Sequence, residues 1–147
     1  MKIIVDNDIT LRKVRVKSAE KIYECIDRSR EFLREWLPWV DETKSPKDTE
    51  KYIKSVQHDR GALRDLVLEV WYQDQITGLL AMKDIDKLNN KAEIGYWLCQ
   101  KAIGKGIMIR SCRSLIDHAF TELHLNKIWI RCAVDNQSSC NIPKQLG

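Results

Sequence analysis

No apolar run in this chain approaches the ~20 residues that a helix needs to cross a bilayer. Its start, Met1-Lys2-Ile3-Ile4-Val5-Asp6-Asn7-Asp8, meets acids too soon for a secretory leader. A cytoplasmic location without a membrane partner is therefore the expectation. The five cysteines, Cys25, Cys99, Cys112, Cys132 and Cys140, are odd in number and include no C-x-x-C pair, which argues against a disulfide framework or a zinc site and for reduced thiols. His58, His118 and His124 lack any ligand spacing, so no metal is expected. A net charge of +4, with acids and bases interleaved, is too small to call for direct nucleic-acid binding. Repeats and low-complexity stretches are absent. With 147 residues, 44% of them hydrophobic, the chain can bury the core of one domain.

What is present centres on Ala92 to Ala119. An apolar strand, Ile94 to Leu98, leads through a short loop to Gly104-Lys105-Gly106, and a helical pattern begins at once. Ile109, Cys112, Leu115, Ile116, Ala119 and Leu123 recur every three or four residues, with charged residues between them. No Ser, Thr, Asp or Asn stands before the helix to cap it, so its first backbone N–H groups lack an internal partner. Glycines allow close approach, the helix dipole places partial positive charge there, and Lys105 adds a full one. A phosphate-bearing ligand suits such a turn.

The spacing excludes two phosphate motifs. A P-loop needs Ser or Thr after its lysine, where Gly106 stands, and a dinucleotide fingerprint needs a third glycine where Ile109 stands. The stretch resembles instead the acyl-CoA pyrophosphate loop of the GNAT acetyltransferases, [QR]-x-x-G-x-[GA], laid on Ile103-Gly104-Lys105-Gly106-Ile107-Met108. Ile103 replaces the polar first residue and Met108 the small last one. Four ordered segments, LREWLPWV (Leu33–Val40), EIGYWL (Glu93–Leu98), GKGIM (Gly104–Met108) and IRC-x-x-DN-x-x-S (Ile130–Ser139), resemble the RimJ/RimL-like ribosomal-protein-alanine/serine N-acetyltransferases over essentially the whole chain.

The remaining pattern reads in order. Ile9 to Val14 alternates as a first strand, and a helix runs from Ser18 to about Trp36, where Pro38 disfavours continuation at Leu37. Ser45-Pro46 starts a second helix, stopped at Gly61. Leu66–Tyr72 and Gln75–Asp84 make a hairpin around Asp74, and Leu88–Lys91 turns into the strand of Glu93. His124 and Asn126, residue types that tolerate left-handed backbone, close the long helix. Ile128–Val134 alternates as a strand, and Ser138–Leu146 begins a last helix. The pattern alone supports α/β or α+β. The resemblance implies α+β in three layers: a mixed, mainly antiparallel sheet flanked by helices, with the strands of Glu93–Leu98 and Ile128–Val134 splaying to admit the pantetheine arm. It also implies a final hairpin beyond Lys144–Gly147. The expectation is thus one domain over 1–147, C-terminally incomplete, of low stability and able to self-associate as a homo-oligomer through an unpaired edge.

The implied reaction is acetyl transfer from acetyl-CoA to an amine. The acceptor is the α-amine of a ribosomal or other protein, or a small amine such as a polyamine or aminoglycoside. A homologue that binds CoA or a partner without turnover is the alternative. Leu98, Cys99, Ile103, Gly104, Lys105, Gly106, Ile107, Met108 and Asn136 are the candidate coenzyme contacts. Glu93 is the candidate base for the amine, with a solvated edge carboxylate paired to Lys91 or Arg131 as the other reading. Ser139 matches a serine proposed to serve the departing thiolate, although Asn136 and Ser139 also stand where a helix cap belongs. Cys132 matches a family cysteine near the CoA thiol, or is an ordinary inward strand residue. Trp36 and Trp39 either cover the core or line the acceptor groove.

Overall fold

The computed structural model describes residues 2–35, 37–57 and 63–130. Its described strands form one six-stranded sheet in sequence order: β1 (Lys2–Ile4), β2 (Ile9–Lys13), β3 (Leu63–Tyr72), β4 (Gln75–Asp86), β5 (Lys91–Leu98) and β6 (Lys127–Ile130). Neighbours are antiparallel except β5 and β6, which run parallel from Lys91 opposite Lys127 to Ile94 opposite Ile130. Helices α1 (Ala19–Arg28), α2 (Arg30–Arg34) and α3 (Pro46–Val56) precede the β3–β4 hairpin, and α4 (Ile107–Thr121) connects β5 to β6.

Two apolar clusters divide the molecule by sheet face. Ile107, Met108, Cys112, Leu115 and Ala119 of α4 pack with Leu11, Leu68, Leu80, Met82 and Ile94 on one side. Ala19, Ile22 and Ile26 of α1, Leu33, Val40 and Ile53 pack with Val67, Leu79, Ala81 and Trp97 on the other. Three layers result, because strand side chains alternate and both faces are apolar. Each fully buried Leu or Ile contributes about 1.5–3 kcal/mol.

Among the described residues the expected elements are found with four corrections. A short strand, β1, precedes the expected first one and pairs Lys2–Ile4 with Arg12–Thr10; three residues are too few for alternation to be recognised. The expected first helix is broken at Ser29, whose backbone leaves the helical region at φ −112°, ψ 17°. There Ser29 Oγ accepts the Gln100 N–H at 2.9 Å, while Arg30 donates to the carbonyls of Val40 and Thr43, so tertiary hydrogen bonds fix the break. α3 ends at Val56, before the expected stop at Gly61, and the N–H of its cap residue Gln57 bonds to Lys54 O. Ser45 flanks α3 in extended geometry but its hydroxyl does not cap; Asp48 reaches back instead, accepting the Lys44 N–H at 2.9 Å.

Elsewhere the local chemistry matches. Leu37 is extended before Pro38. Gln73 and Asp74 both take positive φ, giving the tight two-residue hairpin turn between β3 and β4. His124 has φ 56° beyond the end of α4, as its residue type permits. Met1, Trp36, residues 58–62 and residues 131–147 lie outside the described residues. So do the expected strand beyond Ile130 with its splay, the last helix, Cys132, Asn136 and Ser139.

Candidate active site

The end of β5 sets the site. Gly78 of β4 stands opposite Leu98, and a Cβ there would lie 2.0 Å from the Trp97 carbonyl oxygen, so only glycine lets the strands close. The Cys99 N–H then donates to Thr77 O at 2.8 Å, and a 3-10 turn, Gln100–Ala102, carries the chain to Ile103. Gly104 (φ 86°) and Gly106 (φ 71°) both adopt left-handed backbone, with Gly106 in the capping position of α4. That geometry favours glycine at both places.

Gly106 stands at the N-cap of α4, with no side-chain cap bond among the described residues. The carbonyl side of the turn is occupied. Arg110 donates from Nε to Gly106 O at 3.1 Å and from Nη2 to Lys105 O at 3.0 Å, and its Nη1 is ion-paired with Asp6. Burial by itself would raise the Asp6 pKa; the N–H groups of Asp8 and Ile9 and the Arg110 guanidinium more than offset it and hold the carboxyl below its usual value. Two carbonyls of the turn are thus engaged by one arginine. Among the described residues, no atom lies within 4 Å of where a Gly104 Cβ would be. Lys105 Nζ rests 5.5 Å from the centre of the Tyr72 ring.

On the α1–α3 face, β4 and β5 form a shallow trough. Leu79 pairs with Trp97, Ala81 with Gly95 and Lys83 with Glu93, and directly opposed residues share a face. Small residues make the floor. Above Gly95 the three nearest heavy atoms to an added Cβ would all belong to Lys83, with Cε and Nζ at 3.2 Å. At one end Trp97 packs edge-to-face on Trp39, ring centres 6.3 Å apart; at the other Glu93 sits half-buried, with Trp129 of β6 as its neighbour. A carboxylate, an ammonium and an aromatic pair therefore stand along one face of β4 and β5.

The candidate residues fall into groups. Ile103, Gly104, Lys105 and Gly106 are exposed on the turn, while Ile107 and Met108 bury their side chains in the α4 core and offer only backbone to it. Leu98 is half-buried on the α4 face, and Cys99 is buried. Trp39 is 38% exposed, so it both packs on Trp97 and presents a free edge. Glu93 and Trp39 belong to the trough, on the opposite face from α4.

Comparison with known proteins decides what this arrangement is. A family model described as "Acetyltransferase (GNAT) domain" matches residues 8–147. The chain belongs to the GNAT acetyltransferase family. Among relatives, YdaF of Bacillus subtilis (strain 168), provisionally named a ribosomal N-acetyltransferase, is 35% identical over 97% of this chain and 79% of its own length. The ribosomal-protein-serine acetyltransferase of Escherichia coli (strain K12) is 29% identical over 97% of this chain and 80% of its own. The solved structure of RimL, a ribosomal α-N-protein acetyltransferase in complex with coenzyme A, superposes with a TM-score of 0.91 at 26% identity. It covers 99% of this chain and 82% of that one.

Three contributors in this GNAT domain were not legible as site residues. Arg110 stands one helical turn beyond Gly106, which a search for basic residues at the turn could have found, but its partner Asp6 is 104 positions away. Lys83 and Gly95 meet only through the β4–β5 register. The neighbourhood of Lys83 depends on the irregularity between Lys83 and Asp86, which no local pattern announces.

Proposed function

We propose that this GNAT domain transfers the acetyl group of acetyl-CoA to the N-terminal α-amine of a ribosomal protein. The observation that carries the coenzyme half is the glycine turn: Arg110 holds two of its carbonyls, glycine stands at the helix N-cap, and among the described residues no atom crowds Gly104, a setting in which helix amides and dipole suit a pyrophosphate. The acceptor half is supported by relatives that bear ribosomal-protein acetyltransferase names. With no helix among the described residues long and apolar enough to cross a membrane, the cytoplasm is the proposed location.

Acetyl-CoA supplies an activated thioester. The chain's part is to bind, orient and move protons. The amides of Ile107 and Met108, with Gly104 to Gly106 and the Lys105 charge, hold the pyrophosphate; Leu98, Cys99 and Ile103 border the path toward β5, and Asn136 contacts the pantetheine or adenosine part. Trp36 and Trp39 line the acceptor groove. Glu93 accepts the proton that the amine loses as its nitrogen attacks, and Ser139 returns one to the departing sulfur. Holding the two substrates in line is the main source of rate.

Incubation with labelled acetyl-CoA and a set of ribosomal proteins, followed by intact mass and N-terminal sequencing, tests this. One acetyl group on an α-amine is the expected product. Label confined to polyamines would overturn the acceptor assignment, and CoA binding without transfer to any amine would overturn the enzymatic one.

A further inference from the structure

Behind the glycine turn, on the α1 side, lies a cleft of about 600 Å³ whose lining includes Lys21, Arg28, Lys101 and Asp74 together with both Cys25 and Cys99. Of its lining, the acetyl-transfer reading uses Cys99 alone, as a border of the coenzyme path. Cys25 comes from the middle of α1 and Cys99 from the residue after β5, and the β4 backbone aligns them: Cys25 Sγ donates to Ile76 O at 3.0 Å, and the Cys99 N–H to Thr77 O at 2.8 Å. Cys99 forms the floor, 2% exposed, and Cys25 the half-buried wall.

We propose that Cys25 and Cys99 form a peroxide-reactive dithiol, in which a hydroperoxide entering this cleft oxidises Cys99 and Cys25 converts the product to an intramolecular disulfide. The first step is attack of the Cys99 thiolate on a peroxide oxygen. An S–O bond forms, the O–O bond breaks, and the departing oxyanion takes up a proton. Cys25 sulfur then attacks Cys99 sulfur and loses its proton; the S–S bond forms, the S–O bond breaks, and the hydroxyl leaves as water. With hydrogen peroxide the balance is two thiols oxidised, one peroxide reduced and two waters released.

The environment divides the two roles. The Cys25 S–H donates to Ile76 O; its hydrogen-bonding influence on the neighbouring Cys99, with the nearby Lys101 charge and against the effect of burial, lowers the Cys99 pKa to about 6. The Cys25 pKa is pushed up, first by the same interaction with Cys99 and then by burial, so it keeps its proton until Cys99 has reacted. A low-pKa thiol beside a resolving thiol is the arrangement that oxidises selectively. Cys112 supplies the internal contrast: burial raises it to about 12, and it lies in the α4 core. The new bond would tie α1 to the segment that enters the glycine turn.

The test is hydrogen peroxide titration of the reduced full-length chain, with dimedone as a sulfenic-acid trap and peptide mapping of all five cysteines. It needs neither acetyl-CoA nor an acceptor, so its outcome is independent of the acetyl-transfer reading. A Cys25–Cys99 disulfide should form at a peroxide dose at least about tenfold below that which modifies Cys112. Cys25→Ser should accumulate the dimedone adduct at Cys99, whereas Cys99→Ser, or Cys99→Ala should the serine variant fail to fold, should leave Cys25 unmodified. Oxidation confined to Cys132 and Cys140 with Cys25 and Cys99 still reduced would overturn the proposal. So would oxidation of Cys25 in the Cys99 variants at the wild-type rate.

Discussion

The turn at Gly104–Gly106 and the trough at Gly95 lie on opposite sides of β5 and are built by different means. The turn is backbone: two left-handed glycines, an uncapped helix and two carbonyls held by one arginine. The trough is side chains, brought together from β4, β5 and the 3-10 turn containing Trp39. Backbone sites tolerate side-chain change wherever the conformation survives, whereas side-chain sites fail one group at a time. On the proposed function, coenzyme affinity belongs to the turn and acceptor chemistry to the trough, and variants can separate the two.

The largest effect should come where both regions share a support. Gly78→Ala places a methyl 2.0 Å from the Trp97 carbonyl, so the β4–β5 pairing must open. Urea denaturation should show a loss of about 3 kcal/mol or more, with CoA affinity and turnover falling together. Wild-type stability in the Gly78→Ala variant would mean that the strand ends do not govern the site.

Next in size, Glu93→Gln keeps shape and removes basicity. Turnover should fall about a hundredfold while CoA affinity stays within error, and the rising limb of the pH–rate profile should vanish. An unchanged profile would make the carboxylate structural.

Gly106→Val should act on the other region. No atom stands closer than 3.7 Å to the new Cβ, so the penalty is conformational: a branched residue at φ 71° costs about 1–2 kcal/mol. Either the turn holds and the side chain enters the phosphate space, or it relaxes and its amides diverge. Both weaken CoA by about tenfold or more by calorimetry. Smallest of all, Lys105→Ala should reduce affinity a few-fold at low salt and have no effect at high salt, because an exposed charge acts through a screened field.

Legibility in the sequence follows the same division. α4, β5 and the glycine turn could be read directly, because apolar spacing, alternation and positive-φ residues are local signals. His124 and the Gln73–Asp74 turn belong with them. The break at Ser29 could not be read, since it is held by Gln100, 71 positions away, and helical spacing continues across it. The trough was legible only as isolated residues: Glu93 and Trp39 stand out singly, but that Lys83 lies over Gly95 is a consequence of register. Register is a property of the assembled sheet. Family resemblance supplied the chemistry that local pattern could not.

Separability of the two regions is best tested by measuring CoA affinity and acetyl-transfer turnover on the wild type, Gly106→Val, Glu93→Gln and the double variant. The account predicts that Gly106→Val moves affinity, that Glu93→Gln moves turnover alone, and that the double variant shows both losses multiplied. It would be contradicted by Glu93→Gln weakening CoA as much as Gly106→Val does, or by Gly106→Val binding CoA as tightly as the wild type.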